Sequence, residues 1–356
     1  MAKTDNDLPS LDEPPEVDAD TASRTLRRGL ISLVLLVVLV TALLLAVPGL
    51  NGVADDVRDM RLGWIAFAVG LEILSCLGYV LAFLQVFDRA PLRFGARVAL
   101  SELAFGSAVS LGGAGSIAVG AWLLVERGGE PTQVAQRSAV LFLLTSAINV
   151  ITLFLAGLGL WIGVLPGPRN PLLSVVPAAV AAAAFVLFLL LPRFTERLAQ
   201  GRSHRRLRGA LIQLATSIRL TERILLSADW RIVGAIAFLW CDIAVLAACF
   251  AAAGHAPSLV VIVLAYQIGY LSNVIPIPGG IGVLDGSLVG MFVLYGVPAA
   301  ISAAATVVYH AIALWIPAMW GTVTFIILRR TRHQPLSLRP PRDVRRRIRR
   351  MRHSQD

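Results

Sequence analysis

Apolar residues in this chain fall in long uninterrupted blocks. From Leu30 to Pro48, Leu62 to Phe87, Ala139 to Gly163, Leu172 to Leu191, Ile232 to Ala253 and Ala303 to Leu328 the sequence is rich in Leu, Val and Ala, with only isolated polar residues. Each block approaches or exceeds the roughly 20 apolar residues that a helix needs to cross the hydrocarbon core. None alternates at every second residue as a transmembrane barrel strand must. Helices are therefore predicted, since in lipid the backbone has to satisfy its own hydrogen bonds. The expected fold class is all-α: a polytopic integral membrane helical bundle with six full spans.

Two further apolar stretches, Val98 to Val125 and Leu259 to Tyr295, are broken in the middle by glycine. The breaks read Leu111-Gly112-Gly113-Ala114-Gly115 and Ile277-Pro278-Gly279-Gly280-Ile281-Gly282, and each predicts two short helices around an interruption. The first Gly-Gly pair precedes the second by 167 residues, and Gly129-Glu130-Pro131 precedes Gly296-Val297-Pro298 by the same interval. With that offset, Leu62 to Phe87 falls on Ile232 to Ala253, and the block starting at Ala139 falls within the last one. This predicts a duplicated three-element unit, repeat one over 62–163 and repeat two over 229–328.

Charge gives the expected topology. The segment from Pro192 to Asp229 carries Arg193, Arg197, Arg202, Arg205, Arg206, Arg208, Arg219 and Arg223, which places it in the cytoplasm by the positive-inside rule. Arg24, Arg27 and Arg28 before the first span, and Arg89, Arg93 and Arg97 after the second, point to the same side. Each broken segment must then return to the face it entered, one from the cytoplasm and one from outside. The halves are inverted and the broken segments form two re-entrant hairpins. Residues 1–28 read as a disordered acidic cytoplasmic tail, 29–328 as the membrane domain with its basic loop at 192–229, and 329–356 as an Arg-rich cytoplasmic tail. No cleavable leader is expected, so the first span should remain as an anchor.

Composition agrees: 56% of residues are hydrophobic and 15% charged, too apolar for an ordinary soluble domain. The formal charge of +10 would suggest nucleic acid in a soluble protein; here it follows from arginines beside spans, and no nucleic-acid partner is expected. Cys76, Cys241 and Cys249 fall inside spans without paired spacing, so neither a disulfide framework nor a zinc site is implied. No metal and no cofactor are expected, and no P-loop, Gly-x-Ser-x-Gly elbow or HExxH is present. The reading is of a non-enzymatic protein.

Inverted repeats with interrupted helices are the construction of many secondary transporters, and the interruptions are the best sequence pointer to the transport site. A half-helix that starts at depth offers unpaired N–H groups and a partial positive charge. Gly112, Gly113, Gly115, Pro278, Gly279, Gly280 and Gly282 would let a phosphate approach that backbone, so headgroup binding at the two breaks is predicted. The alternative is that these glycines only permit close helix packing. Asp285, in the first turn after the second break, reads either as a cap or as a headgroup partner. His310 reads as a headgroup-region residue or a packing hydrogen-bonder. Glu72, Glu102 and Asp242 are candidates for proton coupling, since intramembrane acids are costly and usually functional; Glu72 and Asp242 read equally as helix-joining hydrogen-bonders, and Glu102, nearer the inner interface, is expected to snorkel to water.

In the basic loop, Leu207, Leu211, Leu214, Ile218 and Leu225 recur at helical intervals, which predicts an amphipathic helix on the cytoplasmic leaflet. Arg345-Arg346-Arg347 and Arg349-Arg350 read as a positive-inside anchor able to hold anionic lipid.

The run from Asn273 to Asp285 with its Pro278-Gly279-Gly280-Ile281-Gly282 core, then Gly296-Val297-Pro298, then Tyr309-His310 to Pro317, resembles the lysylphosphatidylglycerol synthase transmembrane region, or flippase-like domain, family. The resemblance covers about residues 25 to 330 and concerns the membrane part of that family, which is associated with lipid flipping. It implies that Gly279, Gly280, Gly282 and Asp285 belong to the substrate region. The family usually has Glu where Asp285 stands, commonly Arg at the place of His310, and often Arg where Gly120 stands. The expected function is a lipid flippase or transporter for a phosphate-bearing lipid (phospholipid, aminoacylated phospholipid or polyprenyl-phosphate-linked lipid) in a bacterial cytoplasmic membrane. The expected partners are membrane lipids, a homo-oligomer or an envelope-synthesis protein. The competing readings are a membrane-embedded glycosyltransferase or other lipid-modifying enzyme, and a non-transporting partner of a cell-envelope synthase.

Overall fold

The computed structural model describes residues 57–108, 114–167, 170–200, 205–227, 229–271 and 283–331. These form helices α1 (Leu62–Val86), α2 (Leu92–Ala108), α3 (Ala114–Val125), α4 (Pro131–Trp161), α5 (Pro171–Gln200), α6 (Arg205–Leu226), α7 (Ile232–Ala252), α8 (Leu259–Gly269), α9 (Val283–Leu294) and α10 (Ala299–Arg330). Among the described residues five helices, α1, α4, α5, α7 and α10, are long and apolar enough to cross a membrane. Among the described residues the regular structure is thus all helical, a multi-pass membrane bundle. The block from Leu30 to Pro48 lies outside the described residues.

The helices start and stop where local chemistry dictates. Glu130 caps α4, its carboxylate accepting from the backbone N–H of Thr132 at 3.1 Å and of Gln133 at 2.9 Å, with Pro131 as the first helical residue. Helices α3 and α9, 12 residues each, both end on a glycine with φ of +86°, Gly128 and Gly296. The next amide then bonds back five residues, Gly129 to Leu124 and Val297 to Phe292, which closes a Schellman cap. The matching caps therefore sit on Gly128 and Gly296. Helices α4 and α10 each start three residues after that glycine, at Pro131 and Ala299, so the gap-free sequence register, which pairs Gly129 with Gly296, is out by one at these caps.

Packing is dominated by α1 against α7 and by α2 against α10, with α4 against α5 and α8 against α4 completing the bundle. The first two contacts depend on missing side chains. A Cβ on Gly78 would meet the Phe238 amide nitrogen at 2.7 Å and the Gly234 carbonyl at 2.8 Å, and a Cβ on Gly234 would meet the Ala82 nitrogen at 2.7 Å. On α10, a Cβ at Gly321 would stand 2.1 Å from the Leu100 carbonyl of α2. Without a hydrophobic force between helices in lipid, such backbone approach is the main source of association.

Helix α6 forms as expected, but Ala215, Ser217, Ile218 and Thr221 are buried against the rest of the bundle, largely by α4 and α5, while Ile212, Leu214 and Leu226 remain exposed. Part of its apolar face is thus used inside the protein rather than offered to a leaflet.

Candidate functional site

A cavity of about 380 Å³ lies inside the bundle, between α1, α2, α4, α7, α8 and α10. It is large enough to hold a small ligand or headgroup. Residues bordering both glycine breaks reach it, Gly106 and Ile117 around the first and Tyr270 and Leu284 around the second. The break residues themselves, Gly112 and Gly113 with Pro278, Gly279, Gly280 and Gly282, lie outside the described residues; Gly115 is the second residue of α3.

Three of the carboxyl groups singled out in the sequence, Glu72, Glu102 and Asp242, line this one space together with His310. Glu72 on α1 is 5% exposed; Cys76 Sγ lies 3.8 Å from its Oε1, and its Oε2 has no hydrogen-bond partner. Asp242 on α7 accepts from the Tyr266 hydroxyl at 2.5 Å and from the Tyr309 hydroxyl at 3.1 Å, and the Tyr309 and Tyr270 hydroxyls are themselves 2.6 Å apart. Asp242 thus joins α7, α8 and α10, which is the helix-joining alternative read from the sequence.

Glu102 corrects an expectation. It does not snorkel: it is 1% exposed and accepts from the Tyr79 hydroxyl at 2.8 Å. The reason is Gly120 of α3, whose missing side chain leaves the room that the Glu102 carboxyl fills.

Asp285 and His310 were read separately from the sequence, and the fold brings them together. The Asp285 carboxylate accepts from His310 Nδ1 at 2.6 Å, which ties the first turn of α9 to the middle of α10. Seven residues on, Pro317 has no N–H for the carbonyl of Ala313, and both residues line the cavity, so a backbone acceptor is freed beside it.

The sequence reading gave the tyrosines no role, Tyr309 entering it only as part of the family resemblance. Four of the chain's five, Tyr79, Tyr266, Tyr270 and Tyr309, line the cavity, where their hydroxyls serve its acids and one another. Tyrosine inside an apolar span, with a hydroxyl that must find a partner, was the available signal. Ser75, whose hydroxyl donates to the Phe238 carbonyl at 2.9 Å across the α1–α7 contact, was equally unmarked. Helix α4 adds Ser138, Thr145 and Asn149, and no Lys or Arg side chain lines the cavity among the described residues. Nor do the described residues include a cluster of three or more His, Cys, Asp or Glu able to hold a metal ion.

Chemically, then, the site offers carboxyl, phenol, hydroxyl and amide groups inside a bundle whose outside is apolar. It suits a ligand that donates hydrogen bonds or carries positive charge.

A UPF0104 membrane protein of Methanothermobacter thermautotrophicus is 35% identical to this chain over 86 residues, a match that spans 24% of this chain and 24% of that protein. The sequence profile of the lysylphosphatidylglycerol synthase TM region matches residues 30–321, a stretch that takes in α1 to α9, most of α10 and every residue of the cavity. The chain belongs to the lysylphosphatidylglycerol synthase TM region family.

Proposed function

We propose that this protein is a lipid flippase: it moves the headgroup of a phosphate-bearing lipid through the bundle while the acyl chains stay in the bilayer. One observation carries the reading, the cavity of about 380 Å³ inside an apolar helical bundle, lined by three acids and four tyrosines and bordered by the ends of both interrupted segments. Buried acids and tyrosines in lipid are expensive and persist where something polar passes or binds. The cavity acts by binding and passage, not by catalysis.

The helix pairings support an inverted-repeat arrangement of the two units. The first helices of the two units, α1 and α7, pack on each other. The first half of each broken segment packs on the last helix of the other unit, α2 on α10 and α8 on α4. Such reciprocal pairing is what a two-fold relation between the units generates. Helices α3, α8 and α9, at 11 or 12 residues, are about half the length needed to cross the hydrocarbon, as re-entrant hairpins require.

The lining divides the headgroup. Carboxylates repel phosphate, so the phosphate belongs at the glycine breaks with their backbone N–H groups, and the cavity takes the hydroxyl or amine part of the headgroup. The placement of arginines beside the spans supports a bacterial cytoplasmic membrane with both termini inside as its location.

The test is reconstitution of the full chain in vesicles that carry trace fluorescent phosphatidylglycerol, with a membrane-impermeant quencher added outside. Protein-dependent access of inner-leaflet probe is expected; rates equal to protein-free vesicles would remove the proposal. Topology is read separately, by cysteines placed at Glu130 and at Val297 in a chain whose Cys76, Cys241 and Cys249 have been replaced. Labelling of both from one side would end the inverted arrangement.

A further inference from the structure

We propose that Glu72 is a proton carrier, binding and releasing one proton at Oε2 beside Asp242, and that this proton drives headgroup movement. The driving role rests on the flippase reading; the proton site does not.

The observation behind it is an asymmetry between two neighbouring acids. Asp242 is supplied with donors, the hydroxyls of Tyr266 and Tyr309. Glu72, 5% exposed, has an Oε2 that is buried and unpartnered, while its Oε1 meets only a thiol. A carboxylate so placed needs a cation or a donor. None of the groups that face it is a permanent cation, and none donates a hydrogen bond to Oε2. On its own helix stand Cys76 and Tyr79, and the Tyr79 hydroxyl is engaged by Glu102. From α7 come Asp242 and Cys241, an acid and a thiol. Helix α2 contributes Glu102, and α4 contributes Ser138, Thr145 and Asn149, none of which titrates. On α10, Tyr309 serves Asp242, and His310 is hydrogen-bonded to Asp285 of α9; on α8, Tyr266 and Tyr270 are engaged on Asp242 and Tyr309. With no guanidinium or ammonium lining the cavity among the described residues, the charge at Oε2 is neutralised by a proton.

Two acids sharing one space hold the proton where donors are fewest and the negative charge where they are most numerous. The Glu72 hydroxyl then points the proton into a space where a headgroup can displace it. When an ammonium or hydroxyl donor of the lipid enters, the O–H bond of Glu72 breaks, its electron pair stays on the carboxylate, and the proton leaves on water. Re-protonation from the opposite face ejects the headgroup and restores the starting state, so one proton moves against each lipid.

The experiment uses the full chain in vesicles of phosphatidylethanolamine and phosphatidylglycerol with trace fluorescent phosphatidylglycerol. With one proton exchanged per lipid, a pH difference of about one unit should shift the steady-state distribution of the probe between leaflets about tenfold. The Glu72→Gln protein should show no redistribution of the probe in response to the pH difference, whatever basal rate it retains. Infrared difference spectra of the reconstituted protein, with no lipid gradient, should show a protonated-carboxyl band that shifts in heavy water and is lost in Glu72→Gln. Should Gln prevent folding, Glu72→Asp replaces it: the band must move in frequency and the pH response must survive in reduced form. A band unchanged in either variant, or a pH response unchanged in Glu72→Gln, overturns the proposal. A wild-type protein that moves probe without responding to pH overturns the coupling and leaves the flippase reading standing; one that moves no probe at all overturns the flippase reading and the driving role with it, and the infrared band then decides the proton site alone.

Discussion

A Cβ on Gly120 of α3 would stand 1.6 Å from Oε1 of Glu102 on α2. The carboxyl occupies the volume that any other residue at 120 would need, and its bond from Tyr79 depends on staying there. Gly120→Ala should expel Glu102 and lower stability by about 1–3 kcal/mol, the usual range for overpacking. In the background of Glu102→Ala the same substitution should be nearly silent, because the clash is gone. Thermal unfolding of the single and double variants in detergent checks this, and strictly additive losses would show that the two positions are not coupled.

The hydrogen bond between Asp285 and His310 predicts a second non-additive pair. Both side chains are partly shielded, at 21% and 12% exposure, so either Asp285→Ala or His310→Ala should cost about 1–2 kcal/mol, the lower part of the range for bonds to charged groups. Removing both should cost little more than removing one. His310→Arg should be tolerated better than His310→Ala, since a guanidinium can reach the same carboxylate with two parallel bonds. Unfolding midpoints measure the first claim, and flipping rates of the two His310 variants measure the second.

How far the sequence carried the fold can be argued from these residues. Helices came from block length alone: α1 and α7 begin at Leu62 and Ile232, as the hydrophobic runs require, because in lipid no other element closes its backbone. Helix α4 begins at Pro131, before its apolar block at Ala139, because the capping carboxylate of Glu130 and the preset φ of Pro131 start it. The acids were visible as acids. Their pairing was not, since Glu102 meets Tyr79, and Asp242 meets Tyr266 and Tyr309, only through the crossing of helices far apart in the chain. Snorkelling was expected of Glu102 because depth was judged from distance along the helix, whereas the space at Gly120 belongs to another helix.

Glu130 lies at an exposed loop where acid should matter. The Thr132 hydroxyl first, and then the Gln133 and Thr132 amides, hold its carboxyl below the ordinary carboxylate range. A group whose value is lowered on folding stabilises the fold fully above its unfolded value and loses that contribution as pH falls through the folded one. The cap should therefore be at full strength at neutral pH and fade at acid pH. Glu130→Gln should remove this part of the acid sensitivity, and midpoints compared at neutral and acid pH should converge for the two proteins. Curves that remain parallel would mean that the cap carries no linked proton.

The tightest test of the architecture is at the crossing of α1 and α7. A methyl at Gly78 meets backbone atoms of Gly234 and Phe238 at 2.8 and 2.7 Å, and backbone cannot swing aside as a side chain can. Gly78→Ala should therefore separate the two helices, with a loss of about 1–3 kcal/mol, and should also disturb the Ser75 bond to Phe238 and the space between Glu72 and Asp242. Once the helices have parted, Gly234→Ala should add little, so the double variant should fall well short of the sum. Gly70 provides the control on the same helix: nothing lies within 4 Å of its Cβ position, and Gly70→Ala should be neutral or stabilise by up to about 1 kcal/mol through helix propensity. If Gly70→Ala and Gly78→Ala shift the unfolding midpoint in the same direction by similar amounts, the close crossing is not what holds α1 to α7, and the cavity beside it loses its scaffold.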